Sequence, residues 1–434
     1  MAQSARPDAR AWFVLGMLCF VYVLNFLDRQ LLSILAKPIQ DDLQISDGQL
    51  GRIGGLYFAL FYCLISIPVA WFADRTNRVR VLSFACALWS AATVACGFTA
   101  TYPQLVAARM AVGIGEAGGV PPSYAVISDY FPPGTRGTAL GLYNFGPAVG
   151  QALGVAFGAS IAASYSWRNA FVVLGAVGIA TAIMVYVSVR EPARGGLDAS
   201  SVADTSPHTG VSPRPLTRAG FRATIAMFFS KPVLVLVSLA CGATQFVTYA
   251  TLNFATLFLM REKGMTLNEV AVYYALVIGV GMSAGMYVSG RLIDRFVPRW
   301  KEAYALVPAV ALVLAVPFFL GFVWSPGWQL ALLFFLGPIF FNYFYLSAAV
   351  ALVQEEVRPN ERVMAGALLL LVMNLIGLGL GPTYLGAVSD LLRESHPHNS
   401  LQLAFYTLAP FYLLAAFLFV LLSRKLRHKE DPGR

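Results

Sequence analysis

Twelve apolar runs make up most of the chain. They cover 11–36, 50–72, 81–100, 103–127, 136–161, 168–190, 231–260, 268–290, 302–324, 328–353, 363–388 and 401–423. A helix needs about 20 apolar residues to cross a bilayer, so each run is long enough to span one. Polar or turn-forming breaks separate them: Lys37-Pro38, Asp74-Arg75, Tyr102-Pro103, Pro132-Pro133-Gly134, Ser325-Pro326-Gly327 and His396-Pro397-His398. The breaks near 101 and 326 are short enough to predict antiparallel helical hairpins. The pattern therefore predicts an all-α membrane protein with twelve transmembrane helices.

One segment breaks the rhythm. Residues 191–230 contain Gly195-Gly196, a Ser/Asp/Thr/Pro stretch and the basic residues Arg214, Arg218 and Arg222. This composition predicts a flexible cytoplasmic linker, with a short amphipathic helix on the membrane surface near its end. It divides the chain into an N-terminal bundle, 1–190, and a C-terminal bundle, 231–434. Repetition supports the division. Asp74-Arg75 closes the second run, and Gly290-Arg291-Leu292-Ile293-Asp294-Arg295 closes the eighth, with Asp294 lying 220 residues after Asp74. Pro133-x-x-Arg136-x-x-Ala139 enters the fifth run, and Pro359-x-x-Arg362-x-x-Ala365 enters the eleventh, 226 residues later. Two nearly equal offsets imply two six-helix repeats.

Composition and charge refine this picture. Apolar and aromatic residues are 58% of 434, and charged residues only 12%. That is about half the charged share of a soluble domain. Lys and Arg exceed Asp and Glu by 9. With the N-terminus inside, 23 Lys and Arg residues fall on the inner side and 6 on the outer. The positive-inside rule then predicts that both termini are cytoplasmic, and the expected location is a bacterial inner membrane. No basic face interleaved with aromatics suggests nucleic acid. The five cysteines lie inside apolar runs without ligand spacing, and the four histidines lie in loops or tails. Neither set predicts a metal site. The first apolar run is too long for a cleaved signal and reads as the first span.

The loop and span motifs resemble those of the major facilitator superfamily over essentially the whole chain. Ala70-x-x-Ala73-Asp74-Arg75-x-x-Arg78-x-Arg80 is similar to its loop 2–3 motif, with Ala70 and Asn77 where glycines are usual. Arg109-x-x-x-Gly113-x-Gly115-Glu116-Ala117 resembles the fourth-span motif. Gly141-x-x-x-x-Gly146-Pro147-x-x-Gly150 resembles the fifth-span motif associated with exporters. Asn25-Phe26-Leu27-Asp28-Arg29, followed by the fourth-span Glu116, is similar to the spinster-like branch, whose animal members move sphingosine-1-phosphate and lysophospholipids. The same short motif also resembles that of organic-anion symporters. The resemblance implies two pseudo-symmetric six-helix bundles. It also implies that Asp74 and Asp294 brace a cytoplasmic gate, with Arg75, Arg78, Arg136 and Arg295 as the basic members of that motif set.

Four charges lie within spans: Asp28, Arg29, Arg109 and Glu116. Each costs at least ~2.5 kcal/mol at the bilayer centre, so they should face inward and pair. Arg109 and Glu116 share a helix face roughly 10 Å apart, while Asp28 and Arg29 point about 100° apart. Proton coupling is the sharp reading, because a carboxylate that loses its cationic partner takes up a proton. A fixed structural ion-pair cluster is the plain one. Gly146, Gly150, Gly154 and Gly158 recur at spacing four, as a packing seam or an exporter-type hinge. In the second half, Gln245, Tyr249, Asn253, Asn342 and Asn374 offer uncharged polar groups, which could meet a substrate head group or bond neighbouring helices.

No hydrolase triad or phosphate loop is present, and Gly113-x-Gly115 lies mid-helix, so neither an enzyme nor a cofactor is expected. The expectation is a monomeric, proton-coupled secondary transporter that works by alternating access and exports an amphipathic lipid-like substrate. The alternatives are a symporter of small organic anions, a multidrug antiporter, and a non-transporting lipid-binding receptor.

Overall fold

The structure is a computed structural model describing residues 7–73, 75–193, 221–358 and 361–430. Every regular element among these residues is helical. Among the described residues eleven helices are long and apolar enough to cross a membrane: Ala9–Ile34, Asp47–Ala73, Arg78–Gly97, Thr135–Ser164, Trp167–Ser188, Pro232–Arg261, Leu267–Phe296, Ala303–Trp324, Trp328–Glu356, Met364–Arg393 and Ser400–Arg427. The run at 103–127 forms two shorter helices, Tyr102–Glu116 and Val120–Tyr130, with a turn at 117–119 between them. Pro121 and Pro122 follow that turn and have no N–H to continue the ladder, so the helix restarts there. Counted as one broken fourth span, this segment completes the twelve.

The repeat extends into local geometry. A capping box, Ser46 with Gln49, starts the second span, and Thr266 with Glu269 starts the eighth, 220 residues later. In each box the hydroxyl accepts from one backbone N–H while the longer side chain returns to the other. Both spans then pass through one wide turn, Ile53–Tyr57 and Val270–Tyr274. The tenth span breaks at Asn342 and Tyr343, the position matching the fourth-span break.

Packing divides the chain into two units, one of Met1–Leu31 and Phe61–Pro215, the other of Leu32–Leu60 and Leu216–Arg434. This differs from the repeat boundary, because the end of the first span and the start of the second pack with the C-terminal spans. In the first unit, small residues bring backbones together. A methyl on Gly175 would collide with the Ser90 carbonyl, and one on Gly115 with the backbone of Trp89. In the second unit, Phe258, Phe319, Phe322, Phe335, Phe405 and Tyr412 form a continuous aromatic core. Large apolar side chains also point outward. Phe84, Phe98, Val187 and Leu391 are each more than 70% exposed, as expected where lipid is the solvent.

Residues 194–220 of the expected linker, with Arg214 and Arg218, lie outside the described residues. At the linker's end a helix does form, Phe221–Ser230. It buries Thr224 and Phe228 and exposes Phe229.

Candidate functional site

The charged residues of the first and fourth spans lie together in the first unit. Being adjacent on a helix, Asp28 and Arg29 reach different partners. Arg29 Nε donates to Glu116 Oε2 at 2.6 Å. Asp28 Oδ1 lies 3.6 Å from Arg109 Nη1, and Asp28 Oδ2 accepts from the Thr93 hydroxyl. Two ion pairs thus bridge the spans one above the other. Glu116 is the last residue of its helix and is 1% exposed. A helix C-terminus repels an anion, and Arg29 offsets that repulsion. The Arg29 guanidinium also stands over the rings of Phe26 and Tyr62, at 4.9 and 4.8 Å. These faces hold a cation that would be costly to bury bare.

The pairing is incomplete. Asp28 Oδ1, Glu116 Oε1 and Asn25 Oδ1 are buried with no hydrogen-bond partner among the described residues. A buried acceptor without a donor costs about 1–3 kcal/mol.

The glycine stripe packs the fifth span on the first. Methyls on Gly146, Gly150 and Gly154 would meet Tyr22, the Val23 carbonyl and the Leu27 carbonyl in turn. Beside this seam, Gln30 donates to Gln151 at 2.8 Å, Tyr22 stacks on Tyr143, and Tyr124 donates to Asn144 at 2.6 Å. Asn144 marks a break in the fifth span just before Pro147. Proline chemistry explains that break.

Asp74 lies outside the described residues. Arg78 is buried. It pairs with Asp129 at 2.6 Å and Glu191 at 2.7 Å, while the Val79 N–H donates to Glu191. Arg78 therefore anchors the ends of the third, fourth and sixth spans together. Arg75 is exposed, stacks on Trp71 at 3.9 Å and donates to the Trp71 carbonyl. Arg136 donates to the Phe131 carbonyl. Asp294 and Arg295 are exposed.

The five polar residues expected along a substrate path all belong to the second unit. Gln245 is buried, and its Oε1 has no hydrogen-bond partner among the described residues. Asn253 donates to the Tyr249 carbonyl at 2.9 Å and accepts from Ser33 at 3.3 Å. Asn342, at the tenth-span break, donates to Tyr412 at 3.0 Å and leaves Oδ1 unpartnered among the described residues. Asn374 is half-buried and directly precedes the wide turn Leu375–Leu380.

A further charged cluster went unnoticed in the sequence. Asp47, the first residue of the second span, is fully buried. Arg261, the last residue of the seventh, donates to both Asp47 oxygens at 2.9 Å, and Gln40 and Ser389 complete the shell at 2.7 and 2.6 Å. Asp390 accepts from the Ser46 hydroxyl and from the Asp47 and Gly48 N–H groups, so an eleventh-span acid caps the second span. Glu262 caps the twelfth span in the same way, accepting from the Leu401 and Gln402 N–H groups. Burial pushes the Glu262 carboxyl above its ordinary value despite Arg261, and burial pulls the neighbouring Lys263 ammonium down. The only local hint of this cluster was the Ser46-x-x-Gln49 helix start.

Residues 18–382 match the Major Facilitator Superfamily. The chain belongs to that superfamily. The chain is 32% identical to an MFS-type efflux pump of Mycolicibacterium smegmatis, over 96% of this chain and 94% of that one. It is 28% identical to protein spinster homolog 1 of Rattus norvegicus, over 90% of this chain and 75% of that one. Its fold superposes with a TM-score of 0.85 on the crystal structure of a bacterial homologue of the human lysosomal transporter spinster, in an inward-facing, unoccupied conformation. That match is at 30% identity over 96% of this chain and 98% of the other. This superfamily member is therefore a multi-pass membrane transporter with the major facilitator fold, similar to the spinster-like branch.

Proposed function

We propose that this transporter is a proton-coupled exporter of an amphipathic, lipid-like substrate in a bacterial inner membrane, monomeric and with both termini in the cytoplasm. The observation that carries the reading is the pair of ion pairs, Arg29–Glu116 and Asp28–Arg109, each with a buried carboxylate oxygen that has no hydrogen-bond partner among the described residues. An acid held by one cation and otherwise undersatisfied changes protonation when that cation moves. The fourth span is broken at 117–119, directly beside Glu116, and in this reading its two pieces shift separately.

In alternating access, the first span moves Arg29 away from Glu116, and the acid loads a proton. Re-pairing releases the proton on the other side. Asp28 and Arg109 follow the same rule about two turns away along the fourth span. The halves 1–190 and 231–434 are the moving bodies. The second half supplies Gln245, Tyr249, Asn253, Asn342 and Asn374 as uncharged hydrogen-bonding groups for a head group. The relatives named as an efflux pump and a spinster homologue support export and an amphipathic cargo. Arg29 is already paired and ring-stacked, which weakens the case for a free carboxylate clamp.

Proteoliposomes with an imposed pH gradient test this. Labelled lysolipid should move against the proton flow. Glu116→Gln and Asp28→Asn should each abolish the gradient dependence. Unchanged coupled flux in both variants would refute the proton role. Transport of a sugar acid with no movement of lysolipid would refute the cargo.

A further inference from the structure

The buried cluster around Asp47 has features that a simple structural anchor does not need. Its acid has no counterpart in the repeat. The capping boxes correspond, but the residue after Thr266 is Leu267, whereas the residue after Ser46 is Asp47. A span of this kind therefore starts without a buried carboxylate. Every visible valence of Asp47 is nonetheless met, by a bidentate Arg261, by Gln40 and by Ser389. Bidentate Arg–carboxylate geometry is strong and orientation-specific.

The cluster also sits on a seam of glycines. Methyls on Gly51 and Gly386 would collide with the Pro382 and Asp47 carbonyls, and one on Gly55 would meet the Gly379 carbonyl. The second and eleventh spans thus touch through backbone. Leu32–Leu60, the segment this seam holds, is covalently part of the first repeat but packs in the second unit. Arg29 precedes its start by less than one helical turn.

We propose that Asp47, Arg261, Ser389 and Asp390 form a latch that fastens Leu32–Leu60 to the seventh and eleventh spans at the membrane face opposite the termini. Its release opens that face. Through the first span, release also pulls on the helix that carries Asp28 and Arg29. The proposal rests on the alternating-access reading above, but not on the substrate or on the coupling ion.

Ser33 lies beneath the latch. Its partner Asn253 is eight residues, about 12 Å, inward of Arg261 along the seventh span. The test uses full-length protein in sealed vesicles, with the five native cysteines replaced and Ser33→Cys introduced. A protease-removable C-terminal tag defines the face opposite the termini, and a membrane-impermeant methanethiosulfonate ammonium reagent is the probe. Asp47→Asn should raise labelling from that face about tenfold, the factor that about 1.4 kcal/mol gives. Arg261→Gln should do the same. The exchange Asp47→Arg with Arg261→Asp should bring the rate back to within about threefold of the parent. Ser389→Ala keeps both charges and should give a smaller but measurable rise. Unchanged labelling in Ser389→Ala, or in a cooperatively melting Asp47→Asn protein, would overturn the proposal. No substrate is needed for the readout, so a wrong cargo cannot produce either result.

Discussion

Two of the buried charge clusters among the described residues, those around Asp47 and around Asp28 and Glu116, differ in how well they are satisfied. Around Asp47 every carboxylate oxygen has donors, and the basic partner is bidentate. Around Asp28 and Glu116, each acid has one oxygen engaged and one without a hydrogen bond among the described residues. A fully satisfied network in low dielectric resists change, and a partly satisfied one is held at a cost. The first suits a fastener that is either closed or open. The second suits a group whose protonation or partner changes during each cycle.

The largest effect that could break this contrast comes from removing one cation from the interior. Arg109→Ala strands Asp28, and a buried pair broken on one side costs about 3–5 kcal/mol. It should abolish monodisperse behaviour in detergent, and adding Asp28→Asn should restore it. If Arg109→Ala melts like the parent, the interior pair is not holding charge.

Next in size are the seams. Gly386→Ala and Gly150→Ala each place a methyl against a carbonyl, and overpacking costs about 1–3 kcal/mol. Both should lower the melting temperature. Only Gly386→Ala should also raise labelling at Ser33→Cys, because only that seam lies under the latch. Gly141→Ala is the control. Its site is open, so helix propensity alone should stabilise it, by up to about 1 kcal/mol.

The smallest effect sharpens the edge of the comparison. Glu262 touches Arg261 at 3.7 Å, and burial raises its carboxyl above the ordinary value. A raised acid contributes stability that is complete below its unfolded value and is lost as pH rises through the folded value. Against Glu262→Gln, the wild-type melting temperature should therefore fall as pH rises through the carboxylate range toward neutrality. A flat difference would show that the Leu401 and Gln402 N–H groups keep this carboxyl at its ordinary value.

Much of this architecture was legible in the sequence because it is local or periodic. Twelve runs, a linker and two motif offsets mark spans and repeats, and apolar length is a strong signal in a bilayer. Asp28, Arg29, Arg109 and Glu116 stood out because ionised side chains inside apolar runs are rare. Asp47 did not stand out. It sits just before its apolar run, where an acid reads as an ordinary helix start, and its partner lies 214 residues away. Arg78 was read as a gate residue, but its anchoring by Asp129 and Glu191 depends on separations of 51 and 113 residues that no local pattern encodes. The fourth-span break could have been inferred from Pro121-Pro122, yet the hydropathy there is continuous.

The backbone-to-backbone contact of the second and eleventh spans has one more consequence. Long side chains stretch and slide, so interfaces made of them loosen by degrees. Gly51 and Gly386 have nothing to stretch. Such a joint is brittle. A gap of about 1 Å forfeits up to about half of each dispersion contact along the joint, and the same gap carries the Asp47 bonds past hydrogen-bonding length. Opening at this face should then behave as a threshold event, with few partly open states, and single-molecule distance traces across it should show steps rather than drift.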